Sequence, residues 1–150
     1  MKVKHIEAFQ VKGITIRTNN QNEASPSSAQ IGLLWHDFNE KVAPLMAPFS
    51  ETYGVYTEYE SDHTGDFDVI ACTDTLSTQP TIELSSVNIN RGQYAVFTAS
   101  GPLPETVINL WMQVWQYFSD ETCEHKRAFT TDFEHYEEGK VSVYIALEIE

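Results

Sequence analysis

One carboxylate in this sequence stands where a carboxylate is costly. Glu134 lies between Phe133 and His135 in the strand-like run Phe133-Glu-His-Tyr136, and the two-residue period of a strand puts it on the same face as Tyr136. If that face points into a crevice, the carboxylate is desolvated beside aromatic rings. Such a group responds by raising its pKa or by recruiting a cation. A lipophilic cation satisfies both demands: its charge neutralises the glutamate, and its apolar body stacks on rings that present a negative π face. The spacing is equally compatible with an edge strand that turns Glu134 to solvent, and spacing alone leaves both arrangements open. His135 alternates away from Glu134, so a His/Glu dyad is not expected.

The elements that must position this residue occur twice. Residues 1–75 and 80–150 each read as strand, amphipathic helix, strand, strand. The first unit carries Lys12-Gly13, then Leu34-Trp35, then Tyr53-Gly-Val-Tyr56; the second carries Arg91-Gly92, Leu110-Trp111 and Phe133-Glu-His-Tyr136. A duplicated unit is expected to close around a pseudo-twofold axis, and the crevice on that axis suits a ligand. The repeat breaks at one telling position, where Gly54 in the first unit becomes Glu134 in the second. Tyr56 is then the counterpart of Tyr136, and Trp35 the counterpart of Trp111. Tyr144 lies on the last strand. A buried tyrosine needs a partner for its hydroxyl, which Glu134 or a polar ligand would provide. Ordinary packing is expected for Tyr53, Tyr59, Tyr94 and Tyr117.

The individual elements follow from periodicity and punctuation. Residues 3–17 are β-branched-rich and strand-like. The polar run Asn19 to Ser28 reads as a loop whose closing serines suit a helix cap. Ile31, Leu34, Trp35, Phe38 and Val42 form one helical face that stops near Pro44. Residues 51–59 and 66–74 read as an antiparallel pair. A long strand region spans 82–99, and a helix follows Gly101-Pro102, with Leu103, Val107, Leu110, Trp111, Val114 and Phe118 on one stripe. Ile108, Met112 and Trp115 widen that stripe, so apolar contacts are expected on two sides of the helix. The last pair, 128–137 and 141–149, turns at Glu138-Gly139. These elements predict an α+β fold: tandem β-α-β-β repeats about a pseudo-twofold axis, a curved antiparallel sheet with helices on one side, and a ligand crevice between the repeats. At 150 residues the chain is read as one domain, 1–150.

Composition narrows the function. A net charge of −13 with only nine Lys and Arg argues against a nucleic-acid surface; for most of the charges the acidity reads as solubility, and its sharper reading is a field that favours cationic partners. Cys72 and Cys123 form no framework, and no metal-ligand spacing joins them to the histidines. No activated nucleophile, phosphate loop or cofactor motif is visible. The start MKVKHIEAF lacks a signal-peptide stretch and no run reaches membrane-spanning length, so a cytoplasmic location is expected.

Taken in order, FQVKGITIRT, IGLLWHDF, TYGVY, RGQYAVFTASGPL and DFEHYEEGKVSVYIALEI resemble the gyrase-inhibitor-like (GyrI-like) effector-binding domain, over nearly the whole chain. That module senses ligands at the C-terminal end of many AraC- and MerR-type transcription regulators and also occurs alone. QIGLLWHDF and the loop before it look most like the free-standing, integron-associated branch. The resemblance implies a pair of β-α-β-β units and a non-catalytic multidrug-type site in which Glu134 and Tyr136 hold lipophilic cations. It implies a wall built from Ile14, Ile16, Trp35, Tyr56, Trp111 and Tyr144, with no cofactor or metal. No DNA-reading module is visible, so signalling is expected to pass through a separate protein, or the protein to sequester its ligand; a homodimer is a further possibility. Two other functions compatible with the resemblance are a small hydrolase with Glu134 as general base, and an inhibitor of a protein partner such as a topoisomerase.

Overall fold

The computed structural model describes residues 1–149. Its elements are β1 (Lys2–Ile6), β2 (Phe9–Thr18), α1 (Asn20–Glu23), α2 (Ile31–Lys41), β3 (Thr52–Thr57), β4 (Phe67–Thr73), β5 (Ser85–Ile89), β6 (Gly92–Ser100), α3 (Glu105–Ser119), β7 (Thr131–Glu137) and β8 (Lys140–Ala146). The eight strands form one sheet in the order β1-β6-β8-β7-β3-β4-β2-β5. All its pairings are antiparallel. From the centre outward the order runs β7/β3, β8/β4, β6/β2 and β1/β5, so the two repeats are related by a pseudo-twofold axis between β3 and β7.

The long strands at 3–17 and 82–99 are each broken in two. β1 pairs with β6 of the second half, while β5 pairs with β2 of the first. Each half therefore lends its short first strand to the other. The breaks at Glu7-Ala8 and Asn90-Arg91 are where the chain crosses between half-sheets, which a continuous strand cannot do.

Helices α2 and α3 cover one face. Leu34, Phe38 and Val42 pack on Tyr56, Phe67, Val69 and Ala71, while Leu110 and Val114 pack on Ala95, Phe97, Val141, Val143 and Ile145. The opposite face carries a core of its own, in which Val11, Val55, Ile70, Cys72, Ile89, Tyr94 and Phe133 are buried. Those strands are rich in β-branched and aromatic residues, which suit a pleated surface buried on both sides.

Two local expectations change. The Asn19–Ser28 loop contains the single turn α1, capped by the Asn19 side chain accepting from the Asn22 N–H at 2.7 Å. The serines do not cap α2. Instead the Glu23 carboxylate accepts from the N–H groups of Gln30 and Ile31, each at 3.0 Å, and sets a negative charge against the positive end of the helix. On α3, Ile108, Met112 and Trp115 do not find apolar cover: they are 54%, 57% and 42% exposed. Only the flank bearing Thr106, Leu110 and Val114 is buried, because one sheet lies beneath the helix and nothing among the described residues lies above it. Leu103 precedes the helix and is also exposed.

Candidate functional site

At the middle of the sheet Gly54 pairs directly with Glu134, flanked by Thr52 with Tyr136 and Tyr56 with Asp132. Because 54 and 134 are repeat counterparts and cross-strand partners, this pair lies on the pseudo-axis. A side chain at that point must meet its own counterpart, so one repeat has to give up the space. Gly54 does so: a Cβ there would stand 2.5 Å from Glu134 Oε1 and 3.0 Å from Trp35 Cζ2. Gly54→Ala is therefore expected to push the carboxylate out of register and to destabilise the protein by roughly 1–3 kcal/mol through overpacking. Urea denaturation checks this; an unchanged midpoint would mean that the carboxylate gives way freely.

Glu134 sits on a central strand rather than an edge and is only 2% exposed. Its Oε2 accepts from the Tyr56 hydroxyl at 2.9 Å and the Trp111 indole N–H at 2.7 Å, while Oε1 accepts from the Tyr136 hydroxyl at 2.7 Å. Two pseudosymmetric ring pairs enclose it. Tyr56 and Trp111 have centroids 4.9 Å apart at 58°, and Tyr136 and Trp35 5.1 Å apart at 68°. The result is an aromatic box with one carboxylate on its floor. Trp35 and Trp111 are themselves only half-buried, so the indoles are the box's outer wall.

The electrostatics of this box differ from those of its neighbour on the same strand. Asp132, fully buried, receives the Arg127 guanidinium at 2.8 Å, the Tyr59 hydroxyl at 2.6 Å and the Ala146 N–H at 2.7 Å. Every donor to Glu134 is neutral, and among the described residues no Lys, Arg or His forms an ion pair with it. Burial raises the Glu134 pKa, against the lowering effect of its bonds from Trp111, Tyr136 and Tyr56. Burial, with the Glu134 charge adding to it, also pushes the Tyr56 and Tyr136 hydroxyls well above the usual tyrosine range.

A carboxyl group whose folded pKa is raised binds its proton more tightly when folded. Its contribution therefore favours the folded state at low pH and is lost as pH climbs from the unfolded pKa through the folded one. Unfolding measured across that range should show wild-type stability declining relative to Glu134→Gln. Parallel curves would mean that Glu134 titrates normally.

The structure brings Glu134, Tyr136, Tyr56, Trp35 and Trp111 together and leaves three other wall candidates elsewhere. Register matches Glu134 with Val143 and Phe133 with Tyr144. Tyr144 is thus on the opposite face, stacked on Phe133 with centroids 4.4 Å apart at 8°. Ile14 shares a cross-strand row with Ala71, Gly54 and Glu134, but β4 and β3 intervene. Ile14 and Ile16 line a separate groove of about 300 Å³ with Leu33, Asp37, Lys41 and Ile82. The Asp132–Arg127–Tyr59 network was not anticipated, although Asp132 stands two residues from Glu134 and so shares its face. Among the described residues no group of three or more His, Cys, Asp or Glu could hold a metal ion. Among the described residues no helix is long and apolar enough to cross a membrane.

Two β-α-β-β units in one curved antiparallel sheet, with a box on the axis between two helices, are the GyrI-like fold. The chain belongs to the family of integron-associated effector binding proteins, Cass2, whose model matches residues 2–147. It is similar to the Vibrio cholerae integron cassette protein VCH_CASS2, with 46% identity, a TM-score of 0.92, and coverage of 98% of this chain and 95% of that one. It shares its fold with SAV2435, solved bound to tetraphenylphosphonium, at a TM-score of 0.74 and 15% identity over 98% and 93% of the two chains. YobU of Bacillus subtilis (strain 168), whose name places it with transcriptional regulators, is 24% identical over 97% of this chain and 96% of its own length.

Proposed function

We propose that this protein binds lipophilic organic cations, with Glu134 as the charge partner and Trp35, Trp111, Tyr56 and Tyr136 as the stacking surface. The observation that carries this reading is a buried carboxylate held by neutral donors alone, on a strand where the other buried carboxylate has its own arginine. A cation entering the box supplies the missing charge in a low-dielectric setting, where the attraction is stronger than in water. The half-exposed indoles of Trp35 and Trp111 form the side of the box that faces solvent. The tetraphenylphosphonium carried by the fold neighbour SAV2435 is a ligand of this chemical type and supports the reading. Occupancy then serves as a signal to a separate protein, or simply sequesters the cation.

The raised pKa of Glu134 makes protons and cations competitors for one carboxylate. Tetraphenylphosphonium affinity should climb with pH through the folded pKa, by up to about tenfold per pH unit below it, and level off above. Titrations over a pH series read this directly; a flat profile would remove Glu134 as the charge partner. A hydrolytic role for the same residues is less well served, because a general acid must release its proton and both Tyr hydroxyls hold theirs more tightly than usual.

A further inference from the structure

The two helices above Glu134 are not equivalent walls. Trp111 of α3 bonds to Glu134 and packs on Tyr56, while its other neighbour on the helix is Trp115, with centroids 6.4 Å apart. At roughly 100° per residue, Trp115, Ile108 and Met112 follow Trp111 around the helix, away from the buried Leu110 and Val114. Trp111 brings the near edge of this flank to the pseudo-axis, and Ile108, Met112 and Trp115 lie exposed beyond it over the middle of the helix. The Leu34-Trp35 and Leu110-Trp111 pairs align the helices, so the matching positions on α2 are Gly32, His36 and Asn39. There the wall is small and polar: Gly32 faces open space, and His36 pairs with Glu40 at 3.1 Å in solvent.

We infer that Ile108, Met112 and Trp115 form a second subsite, continuous with the aromatic box, that takes the apolar arm of an amphiphilic cation whose charged head rests on Glu134. This rests on the proposed function and extends it from compact cations to elongated, one-sided ones. The occupant follows from continuity: the stripe begins at the indole that touches Glu134 and runs outward from it. An arm lying along α3 covers apolar side chains on one side only, as the polar α2 wall requires. Exposed Ile, Met and Trp in one row are otherwise unfavourable on a surface of net charge −13.

The test is a series of n-alkyltrimethylammonium ions of increasing chain length, below micelle-forming concentrations, titrated into the full-length protein and into Ile108→Ser/Met112→Ser. In the wild type, affinity should rise up to about fourfold for each methylene that gains contact. In the double variant the rise should flatten, while tetraphenylphosphonium affinity stays within about twofold. These are exposed positions, so the variant keeps its fold, and His36→Ala serves as a control that keeps the wild-type slope. An unchanged slope in the double variant, with Glu134-dependent binding intact, overturns the subsite alone. Failure of the wild type to bind any of these cations overturns the parent reading as well. Sedimentation showing a wild-type dimer that the double variant loses would assign the stripe to a second copy of the chain and overturn the subsite too.

Discussion

Glu134→Gln should make the unliganded protein more stable at neutral pH while weakening its hold on lipophilic cations by about 100-fold. The two effects have opposite signs because they share one cause. Among the described residues no cation faces this buried carboxylate, and burial dominates its raised pKa. Glutamine fits the same bonds: its oxygen accepts from Tyr56 and Trp111 in place of Oε2, and its amide donates to the Tyr136 hydroxyl in place of accepting at Oε1. No charge is then desolvated, so stability at neutral pH rises. The same change removes the buried negative charge from the box, and a cation entering it loses the attraction that offset its own desolvation. Truncating one partner of a buried charge pair typically costs 2–5 kcal/mol of binding. Chemical denaturation and direct titration of the variant check both signs. A variant both less stable and unaltered in cation affinity would mean that Glu134 is a structural acid.

The largest stability loss is expected from Arg127→Met. Asp132 has no exposure and Arg127 almost none, and their ion pair at 2.8 Å is joined by the Tyr59 hydroxyl and the Ala146 N–H. Arg127 also lies 4.3 Å over the Phe129 ring, so its packing is part of the same unit. Removing the guanidinium leaves a second buried carboxylate uncompensated, at a cost of roughly 3–5 kcal/mol. Arg127→Met/Asp132→Asn should recover much of that loss, since the double variant leaves no stranded charge. This network ties β7 to β8 and to Tyr59 just beyond β3, and so fixes the two strands that carry Glu134 and Tyr56. Equilibrium unfolding of the single and double variants measures it; equal losses in both would place the cost in packing rather than charge.

How much of this was legible in the sequence varied with how local the information was. The duplication and the exchange of Gly54 for Glu134 are visible in a string of letters, and so is the alternation that puts Tyr136 beside Glu134. That the two exchanged positions are cross-strand partners depends on register between residues 80 apart in the chain, Gly54 and Glu134, which no local pattern carries. Tyr144 was within reach: a two-residue turn at Glu138-Gly139, where Gly139 adopts φ +70°, pairs Glu137 with Lys140 and thereby fixes Tyr144 to the face of Phe133. The exchange of β1 and β5 between halves left no local signal beyond a weak break in each strand pattern. Periodicity identified Ile108, Met112 and Trp115 as a stripe, but it reports which residues share a face and not what covers them.

The most direct measurement is a four-way calorimetric comparison at one pH above the folded pKa of Glu134: wild type and Glu134→Gln, each titrated with tetraphenylphosphonium and with neutral triphenylphosphine oxide. A charge-selective box predicts that the substitution costs the cation about 100-fold and the neutral compound no more than about threefold, a coupling of roughly 2 kcal/mol. Equal losses for both compounds, or none for either, would contradict Glu134 as the residue that recognises the cation.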